Sequence, residues 1–373
     1  METFHLSGRI DGTNAESVGK AIEDAYSQQI PEELILDAEN LDYISSAGLR
    51  VLLRLRKKTK RLCMLNVQPQ VYEILELTGF NEMIEAEKAL RKVNIEGCEL
   101  IGQGAHGKVY RIDPETVIKV YNDSVPMDKI KQERELARWA FVRDIPTAIP
   151  YDIVREGNNY GAVFELLDAR SSAEYVNRSP EHLNSFIERS VSLLKEIHSV
   201  EVQPGELPDM KQKTAEWIES LSGSLPEPVF TKLQCLLDEV PESHTLLHAD
   251  YHLKNIMICG EDLMLIDIDT LCMGDPVFDL GTIYNSYHEF PSIDPEGAAF
   301  LGLDVETAET IYRKTFDLYL EDRNEMERSE IEKKAQLFGC ARIIAFMNKL
   351  DGHPVKERAI EKCLQDITAL LEF

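Results

Sequence analysis

Between two apolar runs the chain reads LLHADYHLKNIMI, residues 246–258, and this short polar island constrains the fold more than any other stretch. His248, Asp250 and Asn255 fall close together, with strand-like sequence on both sides. Polar groups flanked in this way sit where a loop leaves a buried strand, a frequent place for chemistry. The next apolar run, LMLIDIDT, carries Asp267 at its end, which puts a further carboxylate at the close of a neighbouring strand.

Upstream lies LIGQGAHGKVYRI, followed by a DPET turn and VIKVY. Gly102, Gly104 and Gly107 fit G-x-G-x-x-G, a pattern that dinucleotide folds and kinases share. In a dinucleotide fold the glycines open a helix, whereas here Val109 and Ile112 continue as strand and a tight turn leads to a second strand. Glycines at the tip of such a hairpin let backbone N–H groups approach phosphates with no Cβ in the way. Lys119 stands in the second strand. Alone it reads as a surface lysine on an edge strand, but beneath a glycine hairpin it reads as a contact for the α- and β-phosphates of ATP. Such a lysine needs a carboxylate to hold it. On the helix MDKIKQERELARWAF, Glu133 shares the face of Ile130, Ala137 and Ala140, and Glu135 projects to the other side, so Glu133 is the expected partner.

The five-residue step from Asp250 to Asn255 is kinase catalytic-loop spacing, with the aspartate accepting the proton of the attacking hydroxyl and the asparagine reaching a metal ion. Asp267 is placed to be the second ligand, and an amide oxygen, a carboxylate and nucleotide phosphates suit Mg²⁺. His248 is expected to hold the loop backbone, since Asp250 already supplies the base. Asp269 faces either solvent or the outer shell of the metal.

Together with MGDPVFDLG, residues 273–281, this set resembles the aminoglycoside phosphotransferase and choline kinase-like family over about residues 96–373. The resemblance implies an α+β bilobal protein-kinase-like fold, with a small lobe over about 96–167 and a large helical lobe over about 168–373. It further implies that Asp279 braces the catalytic loop, and that adenine bonds to backbone groups near Glu165 to Leu167 in the linker VFELLDA.

Residues 1–92 form a different module. They carry 12 basic and 15 acidic side chains, which leaves −23 of the net charge of −26 to the rest of the chain. Strand-like, helix-like and again strand-like periods alternate as βαβαβαβ, the pattern of a small sheet covered by helices. Either Ser45 or Ser46 can cap the helix that begins SAGLRVLL, and a helix N-terminus also holds an anion such as a phosphate. The stretches SGRID, LILDAENLDYI and SSAGLRVLL resemble the STAS domain of bacterial anti-sigma-factor antagonists, an α/β fold. That resemblance implies that Ser46 is a phosphoacceptor whose charge switches the binding of an anti-sigma factor or other signalling protein. Ser45 stands where the family usually has aspartate. The basic residues Arg54, Arg56, Lys57, Lys58, Lys60 and Arg61 read as a solvated face.

A net charge of −26 argues against a nucleic-acid partner, which would need basic stripes. No stretch approaches the ~18 apolar residues of a membrane span, and the start lacks a signal-peptide pattern, so a cytoplasmic protein is expected. Seven scattered cysteines, none in a CxxC pair, read as reduced structural thiols. The expected function is ATP- and Mg²⁺-dependent transfer of the γ-phosphate to a hydroxyl of a small molecule, with the STAS module as regulator. Acidic residues cluster in the last third, from Glu289 to Glu332, and a negative cleft there would steer a cationic acceptor such as an amine-bearing sugar or alcohol. The alternatives are a protein serine kinase or a nucleotide-sensing scaffold in a partner-switching circuit.

Overall fold

The computed structural model describes residues 3–27, 30–104 and 106–372. It divides into two compact units, one of residues 1–96 with 153–161, the other of 97–152 with 162–373.

In the first unit, β1 (Thr3–Ile10), α1 (Ala15–Ala25), β2 (Glu33–Ile44), α2 (Ser46–Arg56), β3 (Arg61–Val67), α3 (Pro69–Leu77) and β4 (Glu85–Lys88) follow in order. The strands lie side by side as β1-β2-β3-β4, and each neighbouring pair is parallel. Strand β2 is longer than the run ELILDA suggests because Leu41 and Ile44 continue its buried face beyond Leu34, Leu36 and Ala38. These side chains pack with Leu52 and Leu55 of α2 and Val71 and Leu75 of α3 into one core. Gly48 lets α2 start against the sheet, since a Cβ there would lie 2.6 Å from Ile44 and 2.9 Å from Ile10.

Helix α2 ends at Arg56, short of the Lys60 that its basic run suggests, and the chain turns at buried Thr59, whose hydroxyl donates to Pro31 and Glu32 carbonyls. Four of the basic residues are paired within the unit: Arg54 with Glu16, Lys58 with Glu23, Lys60 with Glu32, and Arg61 with Glu33 and Glu85. Of the two serines, Ser45 is the cap, its Oγ accepting from Ala47 N at 3.2 Å, while Ser46 is the first helical residue and exposed. Ser45→Ala should therefore lower the stability of this unit by about 1 kcal/mol, the usual value of a lost cap, and Ser46→Ala should not. Urea denaturation of the two variants checks this.

After β5 (Arg91–Lys92), the second unit begins with β6 (Glu99–Gln103), β7 (Gly107–Arg111) and β8 (Thr116–Tyr121), an antiparallel meander, then α4 (Met127–Val142); β9 (Pro150–Glu156) and β10 (Asn159–Glu165) follow, their residues 153–161 belonging to the first unit. Strand β8 lies between β7 and β10, so Lys119 sits on an interior strand and not on an edge. Past the linker come β11 (Arg170–Ser171), α5 (Ser172–Val176), α6 (Pro180–Ile197), α7 (Met210–Glu219) and α8 (Glu227–Asp238). Next are β12 (Leu246–Leu247), β13 (Ile256–Cys259), β14 (Asp262–Leu265) and β15 (Cys272–Met273). The chain ends in α9 (Val277–Tyr284), a π-helical turn (Asn285–Glu289), α10 (Phe290–Ile293), α11 (Pro295–Phe300), α12 (Val305–Tyr319), α13 (Glu325–Asn348) and α14 (Lys356–Glu372). Among the described residues no helix is long and apolar enough to cross a membrane.

Two short antiparallel pairings set the site. Strand β12 pairs with β15 and β13 with β14, with Ile256 opposite Leu265, so loops 248–255 and 266–271 leave the same strand ends. Apolar flanks make the strands, and the polar island between them becomes the loop.

Candidate active site

Lys119 and Glu133 meet at 2.7 Å, Nζ to Oε1, and the same ammonium is 3.2 Å from Asp267 Oδ1. Glu133 is buried on the α4 face it shares with Ile130, Ala137 and Ala140, whereas Glu135 is exposed. Burial opposes the charge on Lys119, but the Asp267 and Glu133 carboxylates outweigh it and hold its pKa above the ordinary value. Above the lysine, Gly104 N donates to Gly107 O at 2.9 Å and closes the hairpin. A Cβ on Gly107 would lie 2.2 Å from Val120 O, so this glycine is required by the neighbouring strand, while a Cβ on Gly104 would meet nothing within 4 Å. In the linker, Leu166 N is taken by Glu115 O at 2.7 Å and Ile149 N donates to the Glu165 carboxylate at 3.2 Å.

Asp250 lies among donors. Asn255 Nδ2 donates to its Oδ2 and to its backbone carbonyl, both at 3.0 Å, His252 Nε2 is 3.4 Å away, and Arg342 Nη2 is 3.5 Å from Oδ1. Burial would raise the Asp250 pKa, but His252 and Arg342 hold it well below the carboxylate range. With Nδ2 committed to Asp250, Asn255 has its amide oxygen left for a cation. Asp267 follows β14 in a left-handed conformation, φ 52°, and its side chain is 59% exposed. An amide oxygen and an accessible carboxylate are hard donors that fit Mg²⁺.

The loop itself is held from below. Asp279, fully buried, accepts from His248 N at 2.9 Å and Ala249 N at 2.6 Å, and lies 3.1 Å from His198 Nε2, whose Nδ1 bonds the Tyr319 hydroxyl at 2.7 Å. These contacts support Ala249 in a left-handed conformation, φ 61°, a strained one for a residue with a Cβ. His248 is buried, its Nδ1 3.3 Å from Asp250 N and its carbonyl bonded by Thr270. Burial pushes the imidazole pKa down, so it is neutral at pH 7. Tyr287, in the π-helical turn, accepts from Leu253 N at 2.7 Å. Asp269 is half-buried, and burial with neighbouring Glu133 raises its pKa.

Arg342 went unread in the sequence. It lies in α13, 92 positions beyond Asp250, and also donates through Nη1 to Ala249 O. Within GCARIIAF nothing marks it; only the packing of α13 against α9 brings it to the loop. Arg342→Met should lower turnover by about 10- to 100-fold, the worth of a hydrogen bond to a charged group. Asp250 is ionised above its depressed pKa and loses that charge on acidification. Removing the arginine raises that pKa, so the acid limb of the pH–rate profile should move to higher pH, with KM for ATP little changed.

Several of the acidic residues from Glu289 to Glu332 serve the fold. Asp294 and Asp304 cap α11 and α12, Glu289 is buried against Tyr284, Asp317 pairs with Arg328, Glu321 with Lys195, and Glu332 accepts from Tyr312. Capping and pairing account for these six.

Comparison with known proteins matches these two units. The model of the phosphotransferase enzyme family, APH, matches residues 97–310, and that of the STAS domain matches residues 2–93. The chain belongs to the APH phosphotransferase family and carries an N-terminal STAS domain. It is 35% identical over 79 residues to the Bordetella bronchiseptica protein named "Putative anti-sigma factor antagonist BtrV", covering 20% of this chain and 67% of that protein. Its fold is similar to aminoglycoside phosphotransferase APH(4)-Ia in complex with ADP and hygromycin B, at 10% identity and a TM-score of 0.52, over 81% of this chain and 97% of that one. It is also similar to the GDP and kanamycin complex of APH(2")-IIia, at 13% identity and a TM-score of 0.50, over 80% and 98% of the two chains. Arg342 lies beyond the family match.

Proposed function

We propose that the chain transfers the γ-phosphate of ATP to a hydroxyl of a small molecule, with Mg²⁺ as cofactor and the STAS domain as a regulatory or interaction module. The observation that carries this is Lys119 held at once by Glu133 and Asp267, in the same unit as an Asp250 ringed by donors. In this reading Gly102, Gly104 and Gly107 cover the phosphates and Lys119 contacts two of them. Adenine lies against the Glu165 carbonyl and the Leu167 amide, since the Glu165 and Leu166 amides are already bonded to the Ile149 and Glu115 carbonyls. Asn255 and Asp267 would hold the magnesium, which when bound would supply charge neutralisation at the phosphates. Asp250 orients the acceptor hydroxyl and takes its proton. A low pKa suits that role, because in a loose transition state the proton leaves late and positioning matters more than basicity. Asp279 and His248 keep the loop in place.

A second reading is favoured by one observation. Ser46 is exposed at a helix N-terminus while Ser45 does the capping, so a phosphate on Ser46 would meet free backbone N–H groups without disturbing the cap. In that case the acceptor is a STAS serine, and the circuit is one of partner switching with an anti-sigma factor or similar protein.

The test is ADP release by the full chain with Mg·ATP, offered cationic, neutral and anionic alcohols and amino sugars. Acceptor-dependent release supports the first reading. Release that no small molecule stimulates, accompanied by phosphate on Ser46, supports the second.

A further inference from the structure

Three elements of the large lobe meet at a cluster that phosphoryl transfer does not use. The π-helical turn ends on Glu289, α13 brings Cys340, and α14 brings Cys363 and, one turn later, Asp366. Glu289, Cys340 and Cys363 are each fully buried, and one donor atom from each lies within 4.8 Å of the others. Cys363 Sγ is 3.7 Å from Glu289 Oε1. Tetrahedral coordination with metal–sulfur bonds near 2.3 Å and metal–oxygen bonds near 2.0 Å sets ligand atoms roughly 3.5–3.8 Å apart. The side chains therefore stand close to ligand spacing.

The surroundings suit a ligand set. The Tyr284 hydroxyl donates to Glu289 Oε2 at 2.6 Å, the kind of outer hydrogen bond that orients a ligating carboxylate. On the solvent side Lys362 bonds Asp366 at 2.6 Å and reaches Glu289 Oε1 at only 3.5 Å, with both side chains about a third exposed. Lys362 is thus the cation beside the cluster, and a bound metal would displace it from Glu289.

We propose that Cys340, Cys363 and Glu289 form a site for a thiophilic divalent cation of the zinc class, its fourth position taken by water, separate from the magnesium pair. Two sulfurs select such an ion over magnesium, which takes oxygen. Uptake replaces the two thiol protons, which leave to solvent as the metal–sulfur bonds form, so affinity rises with pH. The ion ties α14 and the π-helical turn to α13, two residues from Arg342 and its contacts to Asp250.

The full chain, purified with a thiol reductant and stripped by chelator, would be titrated with Co²⁺, a coloured probe for tetrahedral zinc sites. The expected result is one equivalent bound, with visible d–d bands and a thiolate-to-cobalt charge-transfer band, both removed by Zn²⁺. Cys340→Ser and Cys363→Ser should each weaken binding by about 100-fold or more and lower the charge-transfer band per bound cobalt by about half, and the double variant should lose the band, with circular dichroism reporting the fold. Lys362→Met, which removes the competing ammonium without touching a ligand, should tighten binding severalfold. No charge-transfer band in the unaltered chain at excess cobalt would overturn the proposal. So would a band that survives both serine substitutions, or a Cys340–Cys363 disulfide in the reduced preparation.

Discussion

An Asp250→Asn chain is expected to bind ATP as the unaltered chain does and to transfer phosphate about 10²–10⁴-fold more slowly, roughly 3–5 kcal/mol of added barrier. The size follows from what the amide loses. Asparagine cannot accept the hydroxyl proton, and its NH₂ must face Arg342, His252 or Asn255, all of which are donors to the carboxylate. Lys119, Glu133 and the glycine hairpin are untouched, so nucleotide affinity should hold. Single-turnover kinetics beside nucleotide titration separates the two effects, and full turnover in the variant would refute the base assignment.

Asp279→Ala should be the most damaging change to stability in the second unit. It leaves the amides of His248 and Ala249 and the ring of His198 without their acceptor in a fully buried place. Breaking a buried, hydrogen-bonded charge network costs about 3–5 kcal/mol. Ala249 also loses what holds it at φ 61°, so turnover should fall along with stability. Asp279→Asn, which keeps one acceptor oxygen, should fall between the two. Denaturant unfolding and kcat measured on both variants check this, and a loss below about 1 kcal/mol for alanine would show that the loop does not depend on this carboxylate.

Local spacing made much of this legible from sequence. Asp250, Asn255 and Asp267 are close in the chain, and strand–loop–strand patterning around them fixes which ends they occupy. Glu133 could be told from Glu135 because a helix has one buried face. The STAS strands and helices announce themselves by changes of period. What sequence hid depends on packing between distant helices. Arg342 looks like any helix arginine, Cys340 and Cys363 like scattered core thiols, and neither meets its partners until α13 and α14 dock. The acidic run is hard to read for the opposite reason: nearness along the chain says little of each residue's task, and Asp294 and Asp304 are helix caps. The end of α2 was missed because the lysines continue while the turn at Thr59 is set by carbonyls of Pro31 and Glu32.

The most direct test of phosphoryl transfer through Asp250 is to incubate the full chain with Mg²⁺ and γ-labelled ATP, with and without the panel of alcohols, beside Asp250→Asn, and to locate the label by mass spectrometry. The account expects label to leave ATP for an acceptor hydroxyl in the unaltered chain and to stay on ATP in the variant. Label that moves equally in both chains, or that never moves in a chain shown to bind ATP, would contradict it.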